Sequence, residues 1–353
     1  MFEFVARGRR RRSRIALIAS AIVASTALAL TGCSTAAPAT DTTASSDSGA
    51  FPVTITSALG SVTIDKTPTR IATWGWGAQD AVLALGMVPV AMPKNTYGGN
   101  ADGVLPWDAE QIKKLGGKTP ELLSGTDTSE VPFEQFVQAK PDVILAPYSG
   151  LSQKDYDTLS KIAPVVAYPK DPWATSWQDQ LTIVGKALGK SAEAAKLKTQ
   201  VDDKVAALAA KYPVLKGKTF VYISANEPGK INIFRSNDPR VQLLNQLGMK
   251  DASSTKALDS DPKAGSYFYS LSNENLSKID ADLLVGYFAD QAAVDAFTST
   301  PLVAAMPTVA DGRFAPIAGE SFVMASSAPS VLSIPWMLDS YVPQLAAAAE
   351  KVK

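Results

Sequence analysis

The 353-residue chain contains no histidine, and its only cysteine is Cys33. Each absence removes a class of chemistry. Without histidine there is no imidazole base for neutral pH, no Ser-His-Asp triad and no His-rich site for bare zinc or manganese. Without a second cysteine there is no disulfide within the chain. Such gaps handicap most soluble enzymes and cost a binding protein nothing. An excess of charge is missing too, with 34 basic and 34 acidic residues. Removing residues 1–32 takes away six arginines and one glutamate, leaving 28 basic and 33 acidic residues and a net charge of −5. That mildly acidic remainder offers no basic stripe to nucleic acid.

What is present begins with a leader. Arg7, Arg9, Arg10, Arg11, Arg12 and Arg14 form a basic region. Ile15–Leu30 follows as an apolar run shorter than the about 20 residues a membrane-spanning helix needs. Leu30-Thr31-Gly32-Cys33 resembles the lipobox of bacterial lipoproteins, in which the cysteine is diacylated and becomes the new N-terminus. The resemblance implies a signal peptide over 1–32, lipidation at Cys33 and an extracytoplasmic protein held at the cell membrane. The modified chain would then have no thiol nucleophile. Paired arginines leave twin-arginine export open, although Ser13-Arg14-Ile15 matches that signal poorly. Residues 34–50 are mostly Ser, Thr, Ala and Asp and read as a tether.

From Phe51 onward, short strands alternate with helices. A hairpin is expected at Val53–Thr56 and Ser61–Ile64. Strands are expected at Arg70–Trp74, Val88–Ala91, Asp142–Ala146 and Val165–Tyr168, and helices at Ala78–Leu85, Phe133–Ala139 and Gln153–Ile162. Pro93–Trp107 reads as a long loop. In residues 173–212, Trp177, Leu181, Val184 and Leu188, then Val201, Val205 and Leu208, recur at helical spacing. Gly189 would end the first run and Ser191 cap the second. The second half offers strands at Thr219–Ile223, Ile231–Phe234, Asp282–Gly286 and Phe314–Pro316. Its helices are expected at Pro239–Leu247, Asn273–Lys278, Gln291–Thr298 and from Ser330 to near Lys351. The fold class is α/β: an N-terminal lobe (51–172) and a C-terminal lobe (213–353), Rossmann-like with mainly parallel sheets. A long rigid helix, or a broken one, joins them.

The halves echo each other. Leu85-Gly86-Met87 matches Leu247-Gly248-Met249. Glu134 precedes Asp142 by the same interval as Glu274 precedes Asp282, and both pairs are offset by 140 residues. With TPTRIATWGWGAQDAVLALGMVPV, FEQFVQAKPDVILAPYSG and SNENLSKIDADLLVG, the chain resembles the helix-hinged (class III) solute-binding lipoproteins of ABC importers that serve iron-siderophore complexes, haem and cobalamin. The resemblance implies a monomeric receptor with ligand in a shallow cleft between lobes, no catalysis and no cofactor beyond the cargo. It also implies that Glu134 and Glu274 engage arginines of the two permease subunits, a role suited to bidentate Arg–carboxylate pairing. Each glutamate could instead simply favour the start of its helix.

Ligands of open α/β sheets bind beyond the carboxyl ends of strands, and those positions are rich in rings. Trp76, Tyr97, Trp107, Tyr148, Tyr267 and Tyr287 are candidate walls for a bulky chelate, with Trp74, Tyr269 and Phe288 nearby. Arg235 and Arg240 flank the loop after Ile231–Phe234 and could hold hydroxamate, catecholate or carboxylate oxygens, with Arg313 weaker. For Arg235 the competing reading is a salt bridge to Asp238. The metal would be bound as a chelate and not by protein ligands. Gly185–Ser191 is one residue short of a phosphate-binding loop, and Asp80 stands where a dinucleotide fingerprint needs its third glycine. No serine sits in a Gly-x-Ser-x-Gly elbow. Two alternatives stay open: the same receptor role for haem or cobalamin, and an extracytoplasmic hydrolase using carboxylates. Siderophore class is also open.

Overall fold

The computed structural model describes residues 51–125, 130–264 and 266–353. The arginine-rich leader, Cys33 and the tether lie outside the described residues. An antiparallel hairpin comes first, β1 (Val53–Ser57) against β2 (Gly60–Ile64). The first lobe then runs β3 (Ile71–Thr73), α1 (Ala78–Ala84), β4 (Ala91–Pro93), α2 (Pro106–Lys114), β5 (Glu121–Leu123), α3 (Phe133–Ala139), β6 (Val143–Leu145), α4 (Gln153–Leu159) and β7 (Val165–Val166). Its sheet has the order β5-β4-β3-β6-β7 and every pairing is parallel. Every residue of β3, β4 and β6 is buried, as in a parallel sheet covered on both faces.

The connector is helical as expected, but in two pieces: α5 (Trp177–Ala187) and α6 (Ser191–Lys211). Gly189 stands at the break with φ 67°, a left-handed conformation that glycine adopts without a Cβ clash. Ser191 is the first helical residue and not the cap. Lys190 precedes it, and no side chain caps the helix there.

The second lobe runs β8 (Thr219–Glu227), β9 (Lys230–Phe234), α7 (Pro239–Gln246), β10 (Lys250–Asp251), α8 (Ser253–Ala257), β11 (Phe268–Ser272) and a 3-10 turn over Asn273–Lys278. Then come β12 (Leu283–Phe288), α9 (Gln291–Ser299), α10 (Pro301–Ala304), α11 (Pro307–Ala310), β13 (Phe314–Ala318), α12 (Glu320–Ser327) and α13 (Ser333–Ala349). In order β11-β9-β8-β12-β13, the β8-β12-β13 half is parallel, whereas β9 pairs antiparallel with both β8 and β11.

Several elements depart from expectation. β4 begins three residues late because Pro89 has no N–H to give a ladder, while the Val90 N–H donates to Ile71 O at 2.8 Å. The supposed loop after Pro93 ends in α2, with Pro106 at its first turn. The expected helix at Asn273–Lys278 is the tighter 3-10 form.

The repeat seen in sequence has a physical counterpart. Asp142 Oδ2 accepts from Thr69 N at 2.8 Å and Thr69 Oγ1 at 2.9 Å. Asp282 Oδ2 accepts from Thr219 N at 2.8 Å and Thr219 Oγ1 at 3.0 Å. The same clasp therefore joins the starts of two neighbouring parallel strands in each lobe. One core cluster runs from Ile55 through Val184 and Val205 to Leu345, so α5, α6 and α13 bind the lobes together through shared apolar packing.

Candidate functional site

In the first sheet the chain leaves β3 towards β4 on one side, while β6 lies on the other. The carboxyl ends of β3 and β6 therefore flank a crevice. Trp76 follows β3 and Tyr148 follows β6, and the Trp76 N–H donates to Tyr148 O at 3.0 Å. That approach needs Gly75, whose φ is 82° and whose added Cβ would meet Tyr148 O at 2.3 Å. Trp173, at φ 57°, completes an aromatic wall. Its ring centroid lies 5.4 Å from Trp76 and 5.6 Å from Tyr148.

The opposing wall belongs to the second lobe. Phe234 stacks on Tyr267 at 6.3 Å and lies 6.0 Å from Tyr287. The Arg240 guanidinium sits 4.1 Å from the Phe234 centroid. Between the walls is a cleft of about 640 Å³, a size suited to a small-molecule ligand. Asn95, Ser224, Asn226, Asn232 and Ser327 add polar edges, while Phe268 and Met324 add apolar ones.

The electrostatics centre on Arg240, which is buried with Asp238. Its Nε donates to Asp238 Oδ1 at 2.8 Å, its Nη2 to Oδ2 at 3.1 Å and its Nη1 to Ser327 Oγ at 3.2 Å. Burial by itself would make the guanidinium easier to deprotonate, but Asp238 reverses this and raises its pKa. Burial, reinforced by the charge of Asp238, also raises the Tyr148 phenol well above its ordinary range. Burial raises Tyr97 and Tyr267 as well. These phenols stay protonated near neutral pH and can donate hydrogen bonds to a ligand.

Six of the eight candidate ligand residues converge here: Trp76, Tyr97, Tyr148, Arg240, Tyr267 and Tyr287. Trp107 and Arg235 do not line the cleft. Trp107 is buried in α2, donates its indole N–H to Asp80 Oδ2 at 2.7 Å and packs on Trp336. Arg235 forms a two-pronged pair with Asp259, at 2.7 and 3.0 Å, and donates to three carbonyls. Asp238, the partner expected for Arg235, is taken by Arg240. Trp74 packs on Phe136, Tyr269 donates to Thr255 O, Phe288 packs on Phe297, and Arg313 donates to the carbonyls of Ala281 and Asp282. None of these four lines the cleft. Trp173 was missed, although it follows β7 as the strand-end rule requires. Asn226 and Asn232 were missed because only the β8–β9 hairpin brings them into place.

Glu134 and Glu274 are exposed, one in the first turn of α3 and the other in the 3-10 turn. Among the described residues neither carboxylate has a hydrogen bond or ion pair. Nor does any group of three or more Cys, Asp or Glu side chains gather, among the described residues, to hold a bare metal ion.

The pattern of a family described as periplasmic binding protein matches residues 71–318. The chain belongs to that family. This periplasmic binding protein is 29% identical to the probable siderophore-binding lipoprotein YfiY of Bacillus subtilis over 240 residues, 68% of this chain and 69% of the relative. It is 25% identical to the Fe(3+) dicitrate-binding periplasmic protein FecB of Escherichia coli, over 72% of this chain and 78% of the relative. Among solved structures it superposes on PiaA of Streptococcus pneumoniae, in complex with ferrichrome, with a TM-score of 0.77 and 38% identity, covering 85% of this chain and 100% of the other. YfiY and FecB are named for binding a siderophore and ferric dicitrate, PiaA is seen with ferrichrome, and the two-lobed α/β architecture is common to this family.

Proposed function

We propose that this chain is the extracytoplasmic receptor of an ABC importer, capturing a ferric-siderophore chelate in the interlobe cleft and presenting it to the permease without catalysis. The observation that carries the reading is the cleft itself. Rings from both lobes face one another across a volume of about 640 Å³, edged by hydroxyls and amides. Aromatic faces for the carbon framework and neutral donors for its oxygens suit a bulky chelate whose iron is already coordinated. Two similar relatives, YfiY and PiaA, are described by their siderophore ligands, which supports the same class of cargo here.

Delivery requires a docking face. We assign it to Glu134 and Glu274, which stand free at matching positions of the two lobes. An exposed apolar side chain accompanies each. Val137 lies one turn along α3 from Glu134, and Leu302 is on α10, which packs against the turn carrying Glu274. A carboxylate beside an exposed apolar side chain fits a charge-steered interface with a small hydrophobic centre. The chain would act as a monomer tethered to the membrane through lipid on Cys33, with the general secretory and twin-arginine routes both compatible with its leader.

The test is a tryptophan-fluorescence titration of the purified protein against ferric hydroxamate, catecholate and citrate chelates, haem and cobalamin. Trp76 and Trp173 in the cleft should give saturable quenching by a ferric chelate at submicromolar concentration. Quenching only by haem or cobalamin would keep the receptor and change its cargo. Silence across the panel from folded protein would end the reading.

A further inference from the structure

The charge of the cleft bears on which ferric chelate it takes. Among the described residues, Arg240 is the only charged side chain in the cleft lining. Its charge is already met, because Asp238 accepts from both Nε and Nη2. The same carboxylate accepts from the Arg240 backbone N–H at 2.8 Å, which fixes its orientation. A guanidinium carries five N–H groups. Two are engaged by Asp238 and one by Ser327, leaving one on each terminal nitrogen without an acceptor among the described residues. Arg240 therefore offers a fork of donors without a net positive field. The rim adds the opposite sign: Glu320 and Asp290 are exposed and lie close enough to Tyr97 to disfavour its ionisation further, after burial.

We infer that the cleft selects an electrically neutral ferric chelate of the tris-hydroxamate type over anionic catecholate and citrate chelates, with Asp238 as the residue that sets this selectivity. The inference rests on the receptor reading above. Three singly charged hydroxamates cancel the charge of ferric iron. Three doubly charged catecholates leave three negative charges in excess, and citrate chelates are also anionic. An anion entering this cleft loses its hydration and meets no uncompensated cation. A neutral chelate gives up far less hydration. Its carbon framework can lie on Trp76, Trp173 and Phe234, while its oxygens accept from Arg240, Tyr148 and the asparagine amides. Like charges at a binding surface discriminate strongly against the wrong partner.

The experiment titrates the full-length protein, in mild detergent, with a neutral ferric tris-hydroxamate, an anionic ferric tris-catecholate and ferric citrate, at low and high salt. The neutral chelate should bind at least about tenfold more tightly than either anion, with an affinity that changes less than about twofold with salt. Asp238→Asn keeps the side-chain oxygen that receives the Arg240 backbone N–H but uncovers the guanidinium charge. It should shift the affinity ratio towards the anionic chelates by about tenfold. Equal or tighter binding of an anionic chelate by the unaltered protein would overturn the inference, as would a steep salt dependence for the preferred chelate. Both outcomes need only the unaltered protein, so a poorly folding variant does not remove the test. Failure of every chelate to bind would instead sink the receptor reading itself.

Discussion

Asp238 and Arg240, two residues apart in sequence, form a two-pronged ion pair sealed at the base of the cleft. Asp238 also caps the start of α7. Removing one member strands the other charge in a buried place, a loss of about 3–5 kcal/mol. Asp238→Ala should therefore lower the unfolding free energy by that amount, read as the shift of the urea midpoint multiplied by the m-value. An unchanged midpoint would mean that water reaches the guanidinium freely in solution.

Arg235 has a different job from Arg240. Its pairing with Asp259 and with the carbonyls of Ser266 and Phe268 ties down the approach to β11. Arg235→Ala should destabilise the fold by roughly 2–4 kcal/mol while ferric-chelate affinity, measured at a temperature where the variant is folded, stays put. A selective loss of affinity would return Arg235 to the ligand site. The Arg235 hydrogen bond holds the Asp259 carboxyl below its ordinary range. The stability it contributes is present above the usual aspartate pKa and disappears as pH falls through the lowered value.

Asp80 and Asp108 are buried near one another, with Oδ1 of each lacking a hydrogen-bond partner among the described residues, and burial raises both above the ordinary aspartate range. Asp80 also accepts from Trp107 and from Ser330 across the lobes, and Gln79 donates to Asp108. No cation pairs with either among the described residues. The sign follows from where the proton is held more tightly. For a carboxyl raised on folding, the favourable contribution is complete below the unfolded pKa and is lost as pH climbs towards the folded one. Asp108→Asn, which supplies a permanent amide N–H, should raise stability by roughly 1–3 kcal/mol at neutral pH and little at about pH 4. Thermal melts of both proteins across that range check it, and a constant difference would mean that the pair does not titrate there.

Trp173 lies over Gly150, where an added Cβ would stand 2.5 Å from the indole Nε1. Gly150→Ala should push the ring out of its place beside Trp76 and Tyr148. Trp173→Ala should remove it, weakening chelate binding by about 1–3 kcal/mol. Isothermal titration of the two variants is the measurement, and full affinity in both would exclude Trp173 from the ligand wall.

Glu134→Ala with Glu274→Ala should abolish uptake by whole cells and leave chelate affinity intact. Val137→Asp or Leu302→Asp should reduce uptake more modestly, by about tenfold, as expected for apolar contacts at an interface centre. Lost chelate affinity in the glutamate variants would show that these residues are misassigned.

Much of this protein was legible from local pattern. The absence of histidine, the single cysteine, the alternation of apolar strand and amphipathic helix, and the 140-residue offset of Glu134–Asp142 and Glu274–Asp282 all lie in residue order. The strand-end rule then located Trp76, Tyr148 and Tyr287, because parallel sheets leave their binding crevice at strand carboxyl ends. Elements with weak periodicity escaped. β11 is five residues inside a stretch of Ser, Tyr and Asn, and α2 opens on a proline in a loop-like context.

Pairing across the fold could not be read in this way. Arg235 and Arg240 both flank the same loop, and nothing in their spacing says which one meets Asp238. That choice depends on β11 and the segment carrying Asp259 closing over Arg235, while α7 turns Arg240 beneath Phe234. Trp107 likewise looked available at the end of a loop until α2 turned it onto Asp80 and Trp336. Sequence determined the lobes, their echo and the supply of aromatic rings, because helix and strand periods and strand-end positions are set by near neighbours. Tertiary structure alone decided that Trp107 turns away, that Trp173 joins the wall and which arginine faces the cleft, because burial and charge pairing depend on residues far apart in the chain.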